Sequence, residues 1–187
     1  MKKGMIKVAS AAIIGVLMSG CLAKSAKPYD YYEITYKGKM CKQKLPVQKD
    51  IYVSNIQALN LADSRDILIV DFKNNIRYVD DAKFVTLPSE MVYKTIVSAV
   101  ASQCEFNQVF RPVKGAYTLN TSLISLQING DQAEVILGYD LVKDAKSIKS
   151  GVIKNHIFNP DPSTPTILKY LDISVNQTIE KLMDEIR

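Results

Sequence analysis

The sequence predicts an α+β fold: one domain in which a mixed, largely antiparallel sheet is packed by two amphipathic helices. Three observations carry that expectation. The stretch from Tyr117 to Leu141 alternates apolar and polar residues about Asn129-Gly130, a dipeptide that tolerates the positive φ of a tight hairpin turn. Val92/Tyr93, Ile96/Val97 and Val100/Ala101 recur in pairs at helical spacing. Leu168, Leu171, Val175, Ile179, Leu182 and Ile186 do so again at steps of three and four.

Ahead of the domain, Lys2, Lys3 and Lys7 precede an apolar run from Val8 to Met18. The run is too short to span a bilayer, which takes ~20 helical residues. A basic start, a short apolar centre and small residues after it are the parts of a secretory signal peptide. Ser19-Gly20 is followed at once by Cys21, and "LMSGC" resembles the lipobox of bacterial lipoproteins. That resemblance implies cleavage before Cys21 and acylation of its thiol and freed amine, an effectively permanent anchor because several acyl chains are buried rather than one. The competing readings are an ordinary signal peptide with an incidental cysteine and an uncleaved N-terminal helix. Met18 stands where the motif usually has Leu, and Leu22, not Asp, follows the cysteine, which resembles outer-membrane rather than inner-membrane sorting. The expected division is 1–20 signal peptide, 21–30 anchor and tether, and 31–187 a periplasmic domain.

Within that domain "YYEITY" reads as a first strand and "GKMCKQKLPVQKD" as a loop. "IYVSNIQALN", Ile51 to Asn60, is β-rich, and polar "LADSRD" connects it to "ILIVDF", a contiguous apolar run that suggests a strand covered on both faces. "KNN" is a turn and "IRYVD" its hairpin partner. A helix is expected from about Ser89 to Gln103, then a short strand "FNQVF" ended by Arg111-Pro112. Tyr117, Leu119, Thr121 and Leu123 share a face, and Ile124, Leu126 and Ile128 continue it one residue out of phase, so a bulge near Leu123 is required. The partner strand alternates Ala133, Val135, Leu137, Tyr139 and Leu141 with an outward set that includes Glu134. Ser147 to Phe158 returns as another strand, and "NPDPSTP" starts the last helix, with Thr164 the cap and Pro165 the first helical residue.

Loss of residues 1–20 removes three of the 24 basic residues, leaving 21 against 19 acids, so a charge of +2 gives no footprint for nucleic acid. With Cys21 lipidated, Cys41 and Cys104 remain, an even number where disulfides persist. A bridge between them is one reading. The other is that Cys104, in step with Val92, Ile96 and Val100, is a buried free thiol. The single histidine, His156, allows no His-bearing metal cluster and no nucleophile with a His-Asp pair at useful spacing. No glycine loop cradles a phosphate. Asp80 and Asp81 are neighbours, and in a strand neighbours face opposite ways, so a turn or cap role is expected in place of paired catalysis. No catalytic residue, metal or cofactor is expected, and the residues point to a binding or assembly protein, not an enzyme.

The order of the pieces carries a resemblance. The lipobox, "YYEI" soon after it, "IYVSNIQALNLADSRDILIV", "FKNNIRYVDDAKF", a helix after "TLPSEM", "QINGDQAEVILGYDLV" and a closing helix resemble the ABC-type transport auxiliary lipoproteins over nearly the whole mature chain. The chain departs from that family at Leu59-Asn60-Leu61-Ala62, where a proline-containing segment is common, and at Phe84, where a Trp is. The resemblance implies a lipid-anchored accessory of an ABC system with mammalian-cell-entry (MCE) subunits, which moves phospholipids or other apolar molecules between membranes. It implies a membrane and the separate MCE, permease and ATPase chains as partners, with self-association open. It transfers no site residue beyond Cys21. A lipoprotein activator of a peptidoglycan synthase or another envelope assembly factor is the alternative.

Overall fold

The computed structural model describes residues 28–187; the expected signal peptide, Cys21 and most of the tether lie outside the described residues. In chain order the strands are β1 (Asp30–Tyr32), β2 (Lys49–Val53), β3 (Gln57–Ala58), β4 (Asp66–Val70), β5 (Ile76–Phe84), β6 (Phe106–Val109), β7 (Tyr117–Asn129), β8 (Gln132–Lys143) and β9 (Lys146–Phe158). The helices are α1 (Pro88–Ser102) and α2 (Thr164–Ile186), and a 3-10 turn occupies Asn60–Asp63. The architecture is α+β, a nine-stranded mixed sheet with two helices.

Alternation and turn chemistry build the long hairpins. Gly130 holds φ 62°, the conformation a two-residue turn demands, and β7 then pairs antiparallel with β8 from Asn129–Gln132 back to Thr118–Val142. The register shifts between Leu123 and Ser125, the bulge the change of phase requires. Ile124 is the residue left out of register, and it turns away from the core, contrary to the expectation that it continues the apolar face. The β8–β9 turn uses Asp144 and Ala145, both at positive φ and neither a glycine.

One edge of β7 is shared in succession. β2 pairs with it over Tyr117–Leu119, β3 over Ser122–Leu123 and β4 over Ile128–Asn129, all parallel. The expected single strand from Ile51 to Asn60 is therefore two, interrupted where the chain leaves β7 after Val53 and rejoins it at Gln57. The 3-10 turn fills the notch opposite the bulge, with the Leu59 amide donating to the Leu123 carbonyl at 3.1 Å. β4 and β5 form the expected hairpin, and "YYEITY" contributes only the short β1, parallel to β5.

Both helices lie on one face of the sheet and join a single core. Ile96, Ala99 and Val100 of α1, Leu171, Ile179 and Leu182 of α2, and Leu119, Leu123 and Leu137 of the sheet are wholly buried. Each such large side chain contributes about 1.5–3 kcal/mol on leaving water. Asn155 of β9 points into this layer and is satisfied there: its amide donates to the Ser174 carbonyl at 3.2 Å, and its oxygen accepts from Lys181 Nζ at 2.6 Å. Ser163, not Thr164, is the cap residue of α2, and Pro165 follows the first helical residue. Thr164 instead donates its hydroxyl to Asp81 at 2.7 Å, fastening the start of α2 to β5.

Candidate functional site

Cys21, the expected acylation site, lies outside the described residues. Cys41 and Cys104 are brought together: their sulfurs are 2.12 Å apart and their α-carbons 5.2 Å apart, bonded across 63 positions of chain. Cys104 therefore follows α1 as a bridge partner and is no free thiol. Around the bridge the Cys41 amide donates to the Ser102 carbonyl at 2.7 Å, and the Leu45 amide to that of Cys104 at 3.2 Å. Lys44 Nζ reaches the carbonyls of Ala101, Gln103 and Phe106 at 2.9, 2.6 and 3.0 Å, supplying charge where the helix leaves carbonyls unpaired.

On the sheet face away from the helices lies a depression of about 560 Å³ lined by Leu59, Leu61, Ala62, Ile124, Ser125, Gln127 and Glu134. Glu134 sits on the outward side of β8, as its phase predicts, yet is 6% exposed. Burial pushes its carboxyl up, but hydrogen bonds from Ser125, Asn129 and Gln127, with His156 nearby, outweigh burial and leave it below the ordinary carboxylate range. Ser125 Oγ donates at 2.7 Å and Gln127 Nε2 at 2.9 Å to one oxygen; Asn129 Nδ2 donates at 3.1 Å to the other, which lies 3.6 Å from His156 Nδ1.

Serine, histidine and carboxylate thus meet, but in an order that does not activate a nucleophile. Acyl-transfer triads place the imidazole between serine and carboxylate, so that the base takes the hydroxyl proton. Here the carboxylate is central and accepts the Ser125 hydroxyl's hydrogen bond directly, and a carboxylate stabilised in its charged form is a poor base. The network's physical effect is to satisfy a buried charge beneath Leu59 and Leu61. Asp80 and Asp81 occupy successive positions of β5 where its register with β4 shifts, and both line one depression: Asp80 is exposed, and Asp81 accepts from the Thr164 hydroxyl at the start of α2, not the opposite-facing pair expected of a regular strand. Among the described residues no group of three or more His, Cys, Asp or Glu side chains is placed to hold a metal ion.

The rest of that outward face belongs to β7, β8 and β9 and is not covered by a helix. Among the described residues β9 pairs only with β8, so there one edge of a long strand has no strand partner. Ile148, Val152 and Phe158 stand exposed along it. Among the described residues no helix is long and apolar enough to cross a membrane.

A second concavity, about 370 Å³, runs along α2 between Lys37, Asp172, Asn176 and Glu180. Several of its polar groups are engaged with each other. Lys37 Nζ pairs with Asp172 at 2.5 Å, the Lys37 amide donates to Asn176 Oδ1 at 2.8 Å, and Tyr36 donates to Glu180 at 2.5 Å. Burial, and then Glu180 as acceptor, raise the Tyr36 phenol above its usual range. This groove straps the segment after β1 to α2.

No protein-family profile matches the chain, and no curated protein is similar enough in sequence to be matched. Solved structures are similar in fold. The crystal structure of protein XCC0632 from Xanthomonas campestris, of family DUF330, superposes with a TM-score of 0.73 at 15% identity, over 82% of this chain and 92% of that one. The crystal structure of an uncharacterised protein superposes with a TM-score of 0.70 at 12% identity, over 86% and 99% of the two chains. At these identities the likeness is one of fold.

Proposed function

We propose that the mature protein begins at an acylated Cys21 on the periplasmic side of the outer membrane and acts by docking, as an accessory of an MCE-type ABC system that moves phospholipids or other apolar molecules between membranes. The observation that carries a docking role is the β7–β9 face and the edge of β9, left without cover or strand partner among the described residues, which offer a partner both backbone hydrogen bonds and the side chains of Ile148 and Val152. The Glu134 network supports binding over catalysis, because its donors and acceptors satisfy one another. The Cys41–Cys104 bridge suits an oxidising compartment. The choice of an MCE system rests on the sequence resemblance.

A photo-crosslinking residue at Val152 tests the docking role in intact cells. Recovery of an MCE or permease chain is the expected outcome; recovery of a peptidoglycan synthase would assign the alternative role. Cys21→Ala should abolish acyl labelling and leave unprocessed precursor, and normal labelling in that variant excludes the anchor. Asp80→Ala should leave docking intact. Turnover of an envelope substrate by the purified protein, stopped by His156→Ala without loss of fold, would replace docking by catalysis.

A further inference from the structure

The end of the sheet where β4 turns into β5 presents aromatic side chains to solvent. Phe72 is 82% exposed and Phe158 61%, with Ile76 beside them at 50%. One turn holds the two rings together. The Gly130 amide donates to the Val70 carbonyl at 2.8 Å, and the Asn159 amide to that of Asp131 at 2.7 Å, so Phe72 and Phe158 flank Gly130-Asp131. A β-carbon added at Gly130 would lie 2.5 Å from the Phe72 ring, which shows how closely the ring is seated. These rings therefore project from the tips of well-paired strands.

We infer that this end of the sheet rests on the membrane that holds the acyl anchor, with Phe72 and Phe158 in the headgroup layer of a zwitterionic phospholipid surface. The inference rests on the acylation of Cys21 proposed above. Its direction comes from β1, which runs parallel to β5 with Asp30 opposite Ala82, so the chain arrives at Asp30 from the side of Ile76. Fully extended, the segment from Cys21 to Asp30 reaches at most about 30 Å. The strand from Ala82 back to Ile76 covers about 20 Å, so an anchored Cys21 reaches past the Phe72 end with length to spare. The opposite end of the sheet, at Tyr117, lies about 27 Å from Asp30 the other way, and bringing it to the same membrane would take nearly the whole tether and a reversal of its path.

The charges around the rings decide the lipid class. Lys73 and Arg77 are set against Asp71, Asp131 and Asp161. Asp71 is turned into its own loop, accepting from the Lys73 and Asn75 amides at 2.8 and 2.9 Å, and Asp161 accepts from the Ser163 amide at 2.9 Å. With no basic excess, nothing here selects anionic lipid. Phe72 and Phe158 are apolar rings without a polar handle, so what seats them at the headgroup/acyl boundary of a neutral bilayer is burial of their exposed hydrocarbon.

The chain contains no tryptophan, so Phe72→Trp, Phe158→Trp and Phe110→Trp each create a single tryptophan that can be excited apart from the tyrosines. Phe110 is 79% exposed just after β6, at the far end, and serves as control. Each full-length acylated variant is reconstituted into phosphatidylcholine vesicles with plain or brominated acyl chains, and flotation is checked. The inference expects blue-shifted emission at positions 72 and 158, roughly halved by brominated lipid, with position 110 unaffected. Unquenched, solvent-like emission at 72 and 158 in floating protein overturns the inference while leaving the anchor standing. A blue shift without quenching means a second copy covers this end, and quenching at 110 alone means the protein sits the other way up; both overturn it. Protein that does not float removes the anchor, and the inference with it.

Discussion

Replacing both Cys41 and Cys104 by Ser should cost about 4 kcal/mol, and the structure says where that loss arises. The bridge spans 63 positions. In the chain-entropy treatment, closing a loop of that length removes roughly 14 cal/mol/K from the unfolded ensemble, about 4 kcal/mol at 25 °C. The native loop has other fastenings, since the Cys41 and Leu45 amides and Lys44 Nζ all bond carbonyls from Ala101 to Phe106. The folded state should therefore survive the change, and the loss should appear as easier unfolding. With a urea m-value of about 2 kcal/mol/M, the midpoint for residues 28–187 should fall by about 2 M, and m should rise somewhat because the uncrosslinked unfolded chain exposes more surface. Unfolding followed by circular dichroism at matched pH measures this. The native protein, denatured without reductant, should leave both cysteines unalkylated. A loss below about 1 kcal/mol, or two thiols reacting without reductant, would refute the reasoning.

Glu134→Gln places an amide donor among three groups that already donate to the site, and a loss of about 1–3 kcal/mol is expected at neutral pH. The wild-type carboxyl is held below its ordinary value of 4.5, so its contribution is fully present above that pH and fades as pH falls through the lower folded value. The stability gap between wild type and variant should thus narrow below about pH 4.5; a gap constant down to pH 3 would show that the charge is not what stabilises the network. Gly130→Ala should cost about 1 kcal/mol or more, since φ 62° is strained for alanine and the new methyl meets the Phe72 ring. Thermal melting of that variant measures the loss, and an unchanged midpoint would show that the turn relaxes freely.

Local pattern revealed the elements whose causes are local. Alternation and Asn129-Gly130 define the β7–β8 hairpin, the phase change at Leu123 marks its bulge, and steps of three and four mark both helices to within a residue or two. What escaped is set between distant segments. Nothing near Ser54 signals that β2 and β3 must each find β7, because that break depends on the path of a strand about 65 residues later. Glu134 was legible as outward-facing, yet its burial comes from the 3-10 turn and from β7 donors that only pairing assembles. Asn155 reads as a polar interruption of β9 until Ser174 and Lys181 are seen to meet it. Ser163 and Thr164 are both good cap residues, and the contact of Thr164 with Asp81 decides between them.

The shared edge of β7 also governs the order of assembly. A chain emerging N-terminus first can pair β4 with β5 and β1, and later β2 with β6, but these two fragments have no strand in common until residues 117–129 appear. Until then each exposes an edge complementary to β7, the state in which strands are most open to wrong partners. Long-range parallel pairings of this kind close slowly, because the loop entropy is spent before the contacts return it. Folding should then be gated by the arrival of β7, and a nascent chain cut short before it would remain as two half-sheets with nothing to join them.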